Sequence, residues 1–277
     1  MKIIQVDDIK IGGSNPLILI AGPCVIEGEK ITLSVAEEVK KISEDLKIPF
    51  IFKSSYKKDN RSSAQAYAGP GLTDGIRILK RVKDEFGVPV LSDVHCKYEV
   101  DEAAAVLDVI QIPAYLSQQT ELTLKVASTG KVVNVKKGQF IAPPDMLNVV
   151  RKIESTGNKN ILLTERGSCF GYRTLVVDMR SFPQMRSFGY PVIFDVTHTI
   201  RLYGKPSSDP SGGEPQFIHH LSRAGVAAGC DGIFIETHSD LANAKCDAAS
   251  MLPLCKLKGL LKQLIEIDNL VREDKLS

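Results

Sequence analysis

The sequence predicts an α/β fold, a (β/α)8 TIM barrel. Three observations carry that prediction. Eight short apolar or β-branched runs are each followed by a polar turn; helical patterns lie between most of them; and the chain has 277 residues, close to the ~250 of such a barrel. The runs are 17–21, 50–52, 88–91, 109–112, 132–135, 161–164, 192–194 and 233–235. Their continuous apolar character suits parallel strands covered on both faces. A doubly wound open sheet is the alternative, but no G-x-G-x-x-G follows the first run.

The intervening helices follow from spacing. Ile31, Val35, Val39, Ile42 and Leu46 recur at intervals of three and four. Thr73 is a candidate cap for a helix carrying Ile76, Leu79, Val82 and Phe86, with Gly87 placed to end it. Residues 121–128, 145–153, 216–228 and 257–270 show the same pattern, and 99–106 and 175–188 show it less clearly. The opening segment, residues 1–12, reads as a hairpin around Asp7-Asp8 that plugs the bottom of the barrel. With no linker in view, residues 1–277 are expected to form one domain.

Composition excludes several classes. The chain is 43% hydrophobic and 25% charged, with a net charge of +2, which argues against a general nucleic-acid surface. No apolar run approaches the ~18 residues that cross a bilayer, and the N-terminus lacks a signal peptide's apolar core. A cytoplasmic protein without membrane or nucleic-acid partners is expected. Cys24, Cys96, Cys169, Cys230, Cys246 and Cys255 show no CxxC spacing, so no disulfide framework is implied.

In a barrel of this type, chemistry sits at the C-terminal strand ends. Those ends carry Cys24, Lys53, Asp93 with His95, Gln111, Lys136, Glu165 with Arg166, Asp195 with His198, and Glu236 with His238. One set is cationic: Lys53, Lys58, Arg61, Lys136 and Arg166. The stretch 53–63 alone packs four cations and four serines into eleven residues. Converged on one mouth, such groups suit substrates bearing phosphate and carboxylate; singly, each reads as a solvated surface charge. A second set, Cys24, His198, Glu236 and Asp247, has the donors of a mononuclear site for Zn2+, Fe2+ or Mn2+. For Cys24 alone, a buried core thiol is the plainer reading. His219 and His220 fall inside a predicted helix and read as structural.

Eight motifs occur in one order: Ala21-Gly22-Pro23-Cys24, Phe52-Lys53-Ser54-Ser55, Asn60-Arg61-Ser62-Ser63, Asn134-Val135-Lys136-Lys137-Gly138-Gln139-Phe140, Thr164-Glu165-Arg166-Gly167, Phe170-Gly171-Tyr172, Phe194-Asp195-Val196-Thr197-His198 and Glu236-Thr237-His238. From about Ile18 to Leu270 the chain resembles the 3-deoxy-D-manno-octulosonate 8-phosphate synthase family. The resemblance implies a homotetrameric barrel that joins phosphoenolpyruvate, D-arabinose 5-phosphate and water, releasing phosphate, for lipopolysaccharide assembly. It implies catalytic roles for Lys53, Lys58, Asn60, Asp93, Lys136 and Asp195. The implied substrate contacts are Lys53, Ser55, Lys58, Asn60, Arg61, Ser62, Gln111, Gln118, Lys136, Gln139, Arg166 and Phe170. Cys24 and Asp247-Ala248-Ala249 resemble the family's metal-dependent branch, which implies one divalent ion held by Cys24, His198, Glu236 and Asp247.

The match has two departures. Gln118 stands where the family pattern has an Arg that reaches the sugar phosphate of a neighbouring subunit, a charge-assisted contact worth roughly 1.5–3 kcal/mol. In the loop after the second run, Lys57 replaces a usual Asp and Asp59 a usual Ala; Lys57 is a candidate substitute cation, its alternative being a side chain in solvent. Two other functions stay open at this point. One is the related 3-deoxy-D-arabino-heptulosonate 7-phosphate synthase, which uses erythrose 4-phosphate; the other is an inactive phosphosugar-binding barrel.

Overall fold

The computed structural model describes residues 1–61, 63–169, 173–206 and 209–272. Eight parallel strands close on themselves: β1 (Ile18–Gly22), β2 (Phe50–Lys53), β3 (Val90–Asp93), β4 (Val109–Ile112), β5 (Val132–Lys136), β6 (Ile161–Glu165), β7 (Val192–Asp195) and β8 (Gly232–His238). Each pairs with the next in the chain, and β8 pairs with both β7 (Ile233 opposite Phe194) and β1 (Ile233 opposite Leu19). Every strand residue is buried, as sheets with both faces covered require.

The strands run further than the apolar runs do. Lys53, Asp93, Lys136, Glu165 and Asp195 are the last residues of their strands, and β8 continues through Glu236 to His238. A backbone ladder is indifferent to side-chain polarity, so pairing carries on wherever the polar side chain finds a partner.

The covering helices are α1 (Glu29–Leu46), α2 (Leu72–Phe86), α3 (Val100–Ala104), α4 (Thr120–Ala127), α5 (Met146–Glu154), α6 (Ser181–Arg186), α7 (Ile218–Ala227) and α8 (Leu254–Val271). Helix α1 buries Val35, Val39 and Ile42 as its spacing predicts. Helix α2 ends at Gly87, which takes the left-handed conformation (φ 61°) and donates its N–H to the Lys83 carbonyl. Its start differs from expectation. Gly71 is the capping residue and Thr73 lies inside the helix, its hydroxyl facing Glu102. The expected 175–188 helix is also shorter. Leu175–Val176 instead pairs with Ser168–Cys169 as a two-residue antiparallel ladder, and helix begins only at Ser181.

The N-terminal segment forms an antiparallel hairpin, Ile4–Val6 with Ile9–Ile11. Ile4, Val6, Ile9 and Ile11 are buried in the main core. Lys2 N–H donates to the Gly189 carbonyl, and Asp8–Lys10 border a groove shared with Pro49, Phe50, Val88 and Pro89. Those neighbours lead into β2, β3 and β7, so the hairpin covers the N-terminal end of the barrel. The opposite end is left open.

Gly22 sits where that open end is tightest. A Cβ there would overlap the Lys53 carbonyl oxygen, a backbone atom that cannot swing aside. Gly22→Ala is therefore expected to cost about 1–3 kcal/mol, read as a lower urea midpoint at unchanged m-value.

Candidate active site at the C-terminal mouth

A cavity of about 740 Å³ opens at the C-terminal strand ends. Lys58, Asn60, Arg61, Asp93, Gln111, Lys136, Arg166, Asp195, His198 and Asp247 line it, drawn from the ends of strands or the loops that follow them. Lys53, Ser55, Cys24 and Glu236 lie behind this lining and are buried.

Buried charges here come in pairs. Lys53 Nζ donates to Glu236 Oε1 at 2.6 Å and to the Cys24 carbonyl at 3.0 Å. Lys58 Nζ donates to Asp93 Oδ2 at 3.0 Å, which also accepts from the Ser55 hydroxyl at 2.9 Å. Lys136 Nζ bonds Asp195 Oδ2 and lies 3.3 Å from the centre of the Phe234 ring. Burial alone would raise each carboxyl pKa, yet the cations win. Lys53, His198 and Lys58 hold Glu236 at about 2, and Lys58 and Lys53 hold Asp93 far below the carboxylate range. Asp195 is likewise depressed, by His198 and Lys136. Lys58 is pushed up by Asp93 against its own burial. Lys136 goes the other way. Burial, abetted by the nearby Lys53, lowers it to about 8 against the opposing pull of Asp195 and Glu236.

Arg166 lines the cavity with Nη1 unpartnered and its guanidinium over the Tyr203 ring. Gln111 bridges inward, its Nε2 bonding Asp93 and its Oε1 accepting from Asn134 at 2.8 Å. Gln139 is buried beside the mouth, and its carbonyl accepts from the Cys169 N–H. Gln118 is exposed and outside the cavity; its carbonyl accepts from Lys152. Lys57 pairs with Glu99 at 3.3 Å and does not line the cavity. Ser62 and Phe170 lie outside the described residues.

The expected donors for a cation fall, among the described residues, into two groups that share Asp247: His198–Glu236–Asp247 and Cys24–Cys246–Asp247. His198 Nε2 lies 3.8 Å from Glu236 Oε1 and 3.9 Å from Asp247 Oδ2, and Cys24 Sγ lies 3.4 Å from Asp247 Oδ2. His198 is oriented by Asp195, whose Oδ2 is 2.7 Å from Nδ1 and whose Oδ1 accepts the His198 N–H. That leaves Nε2 aimed at the two carboxylates, the usual support of a ligating imidazole. Glu236 Oε2 is buried without a hydrogen-bond partner. Asp247 takes a left-handed backbone (φ 53°), which Asp tolerates better than most residues. A thiol, an imidazole and two carboxylates, with an unsatisfied buried oxygen among them, fit a divalent transition metal.

Cys246 and Arg201 escaped the sequence reading, which named His95 and Lys137 but not the surroundings they take. Cys246 Sγ lies 2.6 Å from Cys24 Sγ and accepts from Arg61 Nη1 at 2.9 Å. Burial opposes its ionisation, but Cys24, Arg61 and Lys58 pull its pKa below the usual thiol range, while burial and Cys246 push Cys24 up. Arg201 Nη1 bonds Asp247 Oδ1. His95, half-buried with both ring nitrogens shielded and unpartnered, lines the cavity, and burial lowers its pKa. Lys137 has no exposure and reaches the carbonyls of Gly138, Ile141 and Gly167, the Ser168 hydroxyl and Glu165. Adjacency was the available signal for Cys246 and Arg201: Cys246 precedes Asp247, and Arg201 follows His198 by three residues.

Fold and site together define a (β/α)8 barrel with a cation-lined cavity at its C-terminal mouth. The comparisons narrow this. The chain belongs to the DAHP synthetase I family, whose model matches residues 1–273. It is 55% identical over 271 residues to the 2-dehydro-3-deoxyphosphooctonate aldolase of Trichlorobacter lovleyi, covering 98% of this chain and 99% of that one. It is 56% identical over 270 residues to the protein of the same name from Geobacter sp. strain M21, covering 98% of each. Against that of Geotalea daltonii it is 54% identical over 272 residues, covering 98% of this chain and 100% of that one. No helix among the described residues is long and apolar enough to cross a membrane.

The low pKa of Lys136 sets a pH limit. Below about pH 8 the ammonium is charged and attracts an anion; above it the free protein loses that charge. Affinity for phosphoenolpyruvate is expected to hold from pH 6 to 8. It should then fall by up to about tenfold per pH unit, as calorimetric titration across pH 6–10 would register.

Proposed function

We propose that this chain is a metal-dependent 3-deoxy-D-manno-octulosonate 8-phosphate synthase, condensing phosphoenolpyruvate with D-arabinose 5-phosphate and water. The observation that carries this is one cavity lined by Lys58, Lys136 and Arg166 together with His198 and Asp247, where Asp247 is shared by two donor groups, His198–Glu236–Asp247 and Cys24–Cys246–Asp247. Full-length identity above 50% to proteins named for that aldol chemistry supports it.

The residues divide the work. Lys136 and Arg166 hold the phosphate and carboxylate of phosphoenolpyruvate, with Lys53 adding positive charge from behind. Lys58, Asn60 and Arg61 hold the aldose phosphate, and Ser62 joins them by resemblance. Bringing two phosphates and a carboxylate together needs this much cation to offset their repulsion. C3 of the enolpyruvate attacks the aldehyde carbon, whose oxygen takes up a proton as its double bond opens, while water adds at C2 and gives up a proton. The resulting hemiketal then loses its hydroxyl proton, forms the C2 ketone and expels phosphate by C–O cleavage. His95, which lines the cavity and which burial keeps neutral against the pull of Asp93, would take the proton of that water. Cys24, His198, Glu236 and Asp247 would hold one divalent ion, Fe2+, Zn2+ or Mn2+, which supplies Lewis-acid polarisation or a more acidic water when bound. A homotetramer follows from the same reading, with the exposed Gln118 offered to a neighbouring subunit, as does a cytoplasmic location in lipopolysaccharide biosynthesis.

An assay of both aldose phosphates, with and without chelator, tests the proposal. Phosphate is expected from phosphoenolpyruvate with arabinose 5-phosphate, and erythrose 4-phosphate should react poorly. Turnover should vanish on chelation and return with Mn2+, Fe2+ or Zn2+. Preference for erythrose 4-phosphate would move the chain to the heptulosonate branch, and absence of release with either sugar would leave a binding protein. The route uses no Schiff base, so borohydride with substrate should leave the protein's mass unchanged; an adduct at Lys136 would overturn it.

A further inference from the structure

Two arginines from different loops meet on successive residues of a third. Arg61, after β2, donates to Cys246 Sγ at 2.9 Å. Arg201, after β7, bonds Asp247 Oδ1. Both line the cavity. Arg201 sits in a tied-down strap: it bridges antiparallel to Gly213, and flanking bonds run from Leu202 N–H to the Gly212 carbonyl and from Glu214 N–H to the Ile200 carbonyl. Its side chain is 15% exposed. A guanidinium has five donors in a fixed fork, and the bond to Asp247 engages Nη1, leaving an edge for a second acceptor. Asp247 in turn keeps Oδ2 turned toward Cys24 and His198.

The deeper lysines differ from this pair. Lys58 and Lys136 are each bonded to a buried carboxylate at a strand end, whereas Arg61 and Arg201 converge from two loops onto the 246–247 turn. The cavity thus holds a second cationic centre, made of forked donors that match the geometry of a phosphate.

We propose that Arg201 is a specificity-determining residue of the aldose-phosphate site, clamping the 5-phosphate together with Arg61. This rests on the condensation proposed above. The residue meets the phosphate directly while Asp247 holds its other edge in register.

Steady-state kinetics of Arg201→Gln and Arg201→Lys, with bound metal quantified for each, tests the assignment. For Arg201→Gln, KM for arabinose 5-phosphate should rise about ten- to a hundredfold. KM for phosphoenolpyruvate and metal content should stay within twofold of the unsubstituted enzyme. Competitive inhibition by inorganic phosphate against the sugar should weaken in parallel, and Arg201→Lys should recover part of the loss by keeping the charge. An unchanged KM for the sugar phosphate would overturn the clamp. So would loss of metal or an equal rise in both KM values, since Arg201 would then act only through Asp247. An unsubstituted enzyme inert toward arabinose 5-phosphate would instead sink the underlying reaction, a result distinct from either.

Discussion

The mouth of this barrel depends on one constraint: a buried ammonium must have a buried carboxylate. Lys53 has Glu236, Lys58 has Asp93, and Lys136 has Asp195. Removing either member would strand a charge at a cost of several kcal/mol. The pairing explains why strands continue into residues that look like turn formers. It also explains the Phe234 ring facing both Lys53 and Lys136, a surface that tolerates cations where water is excluded. The cations are thus held in place before any substrate arrives, so little reorganisation is needed when one binds.

Asp195 joins this array to the donor cluster. One of its oxygens faces both Lys136 and His198, and the other accepts the His198 amide. The cationic side of the cavity and the group of His198, Glu236 and Asp247 therefore share a single support. Glu236 has the same double position, bonded to Lys53 while facing His198. A ligand arriving on one side acts on charges that the other side also uses.

The barrel was legible because parallel strands leave an unbroken apolar signature, and all eight runs overlap strands. Their C-terminal limits were not, since Lys53, Asp93 and Lys136 resemble turn residues until their buried partners are known. The helix expected from Leu175 failed for a related reason: its first residues pair across to Ser168–Cys169, and long-range pairing overrides a local period. Within the site, strand-end position identified Lys53, Asp93, Lys136, Asp195 and Glu236. Cys246 and Arg201 lie in loops where no period constrains a side chain, so only the folded chain sets them beside Cys24 and Asp247. Lys57, attractive by its neighbours in sequence, is committed to Glu99.

Lys137 binds carbonyls from two loops at once, Gly138 and Ile141 after β5 and Gly167 after β6. With no exposure to solvent, it works as a rivet between them. These loops are consequently not independent units for variation. A substitution acceptable in one must be read against the other, and inserting or deleting a residue in either displaces a shared cation. Change there is epistatic by construction, so this corner of the rim can drift only as a pair.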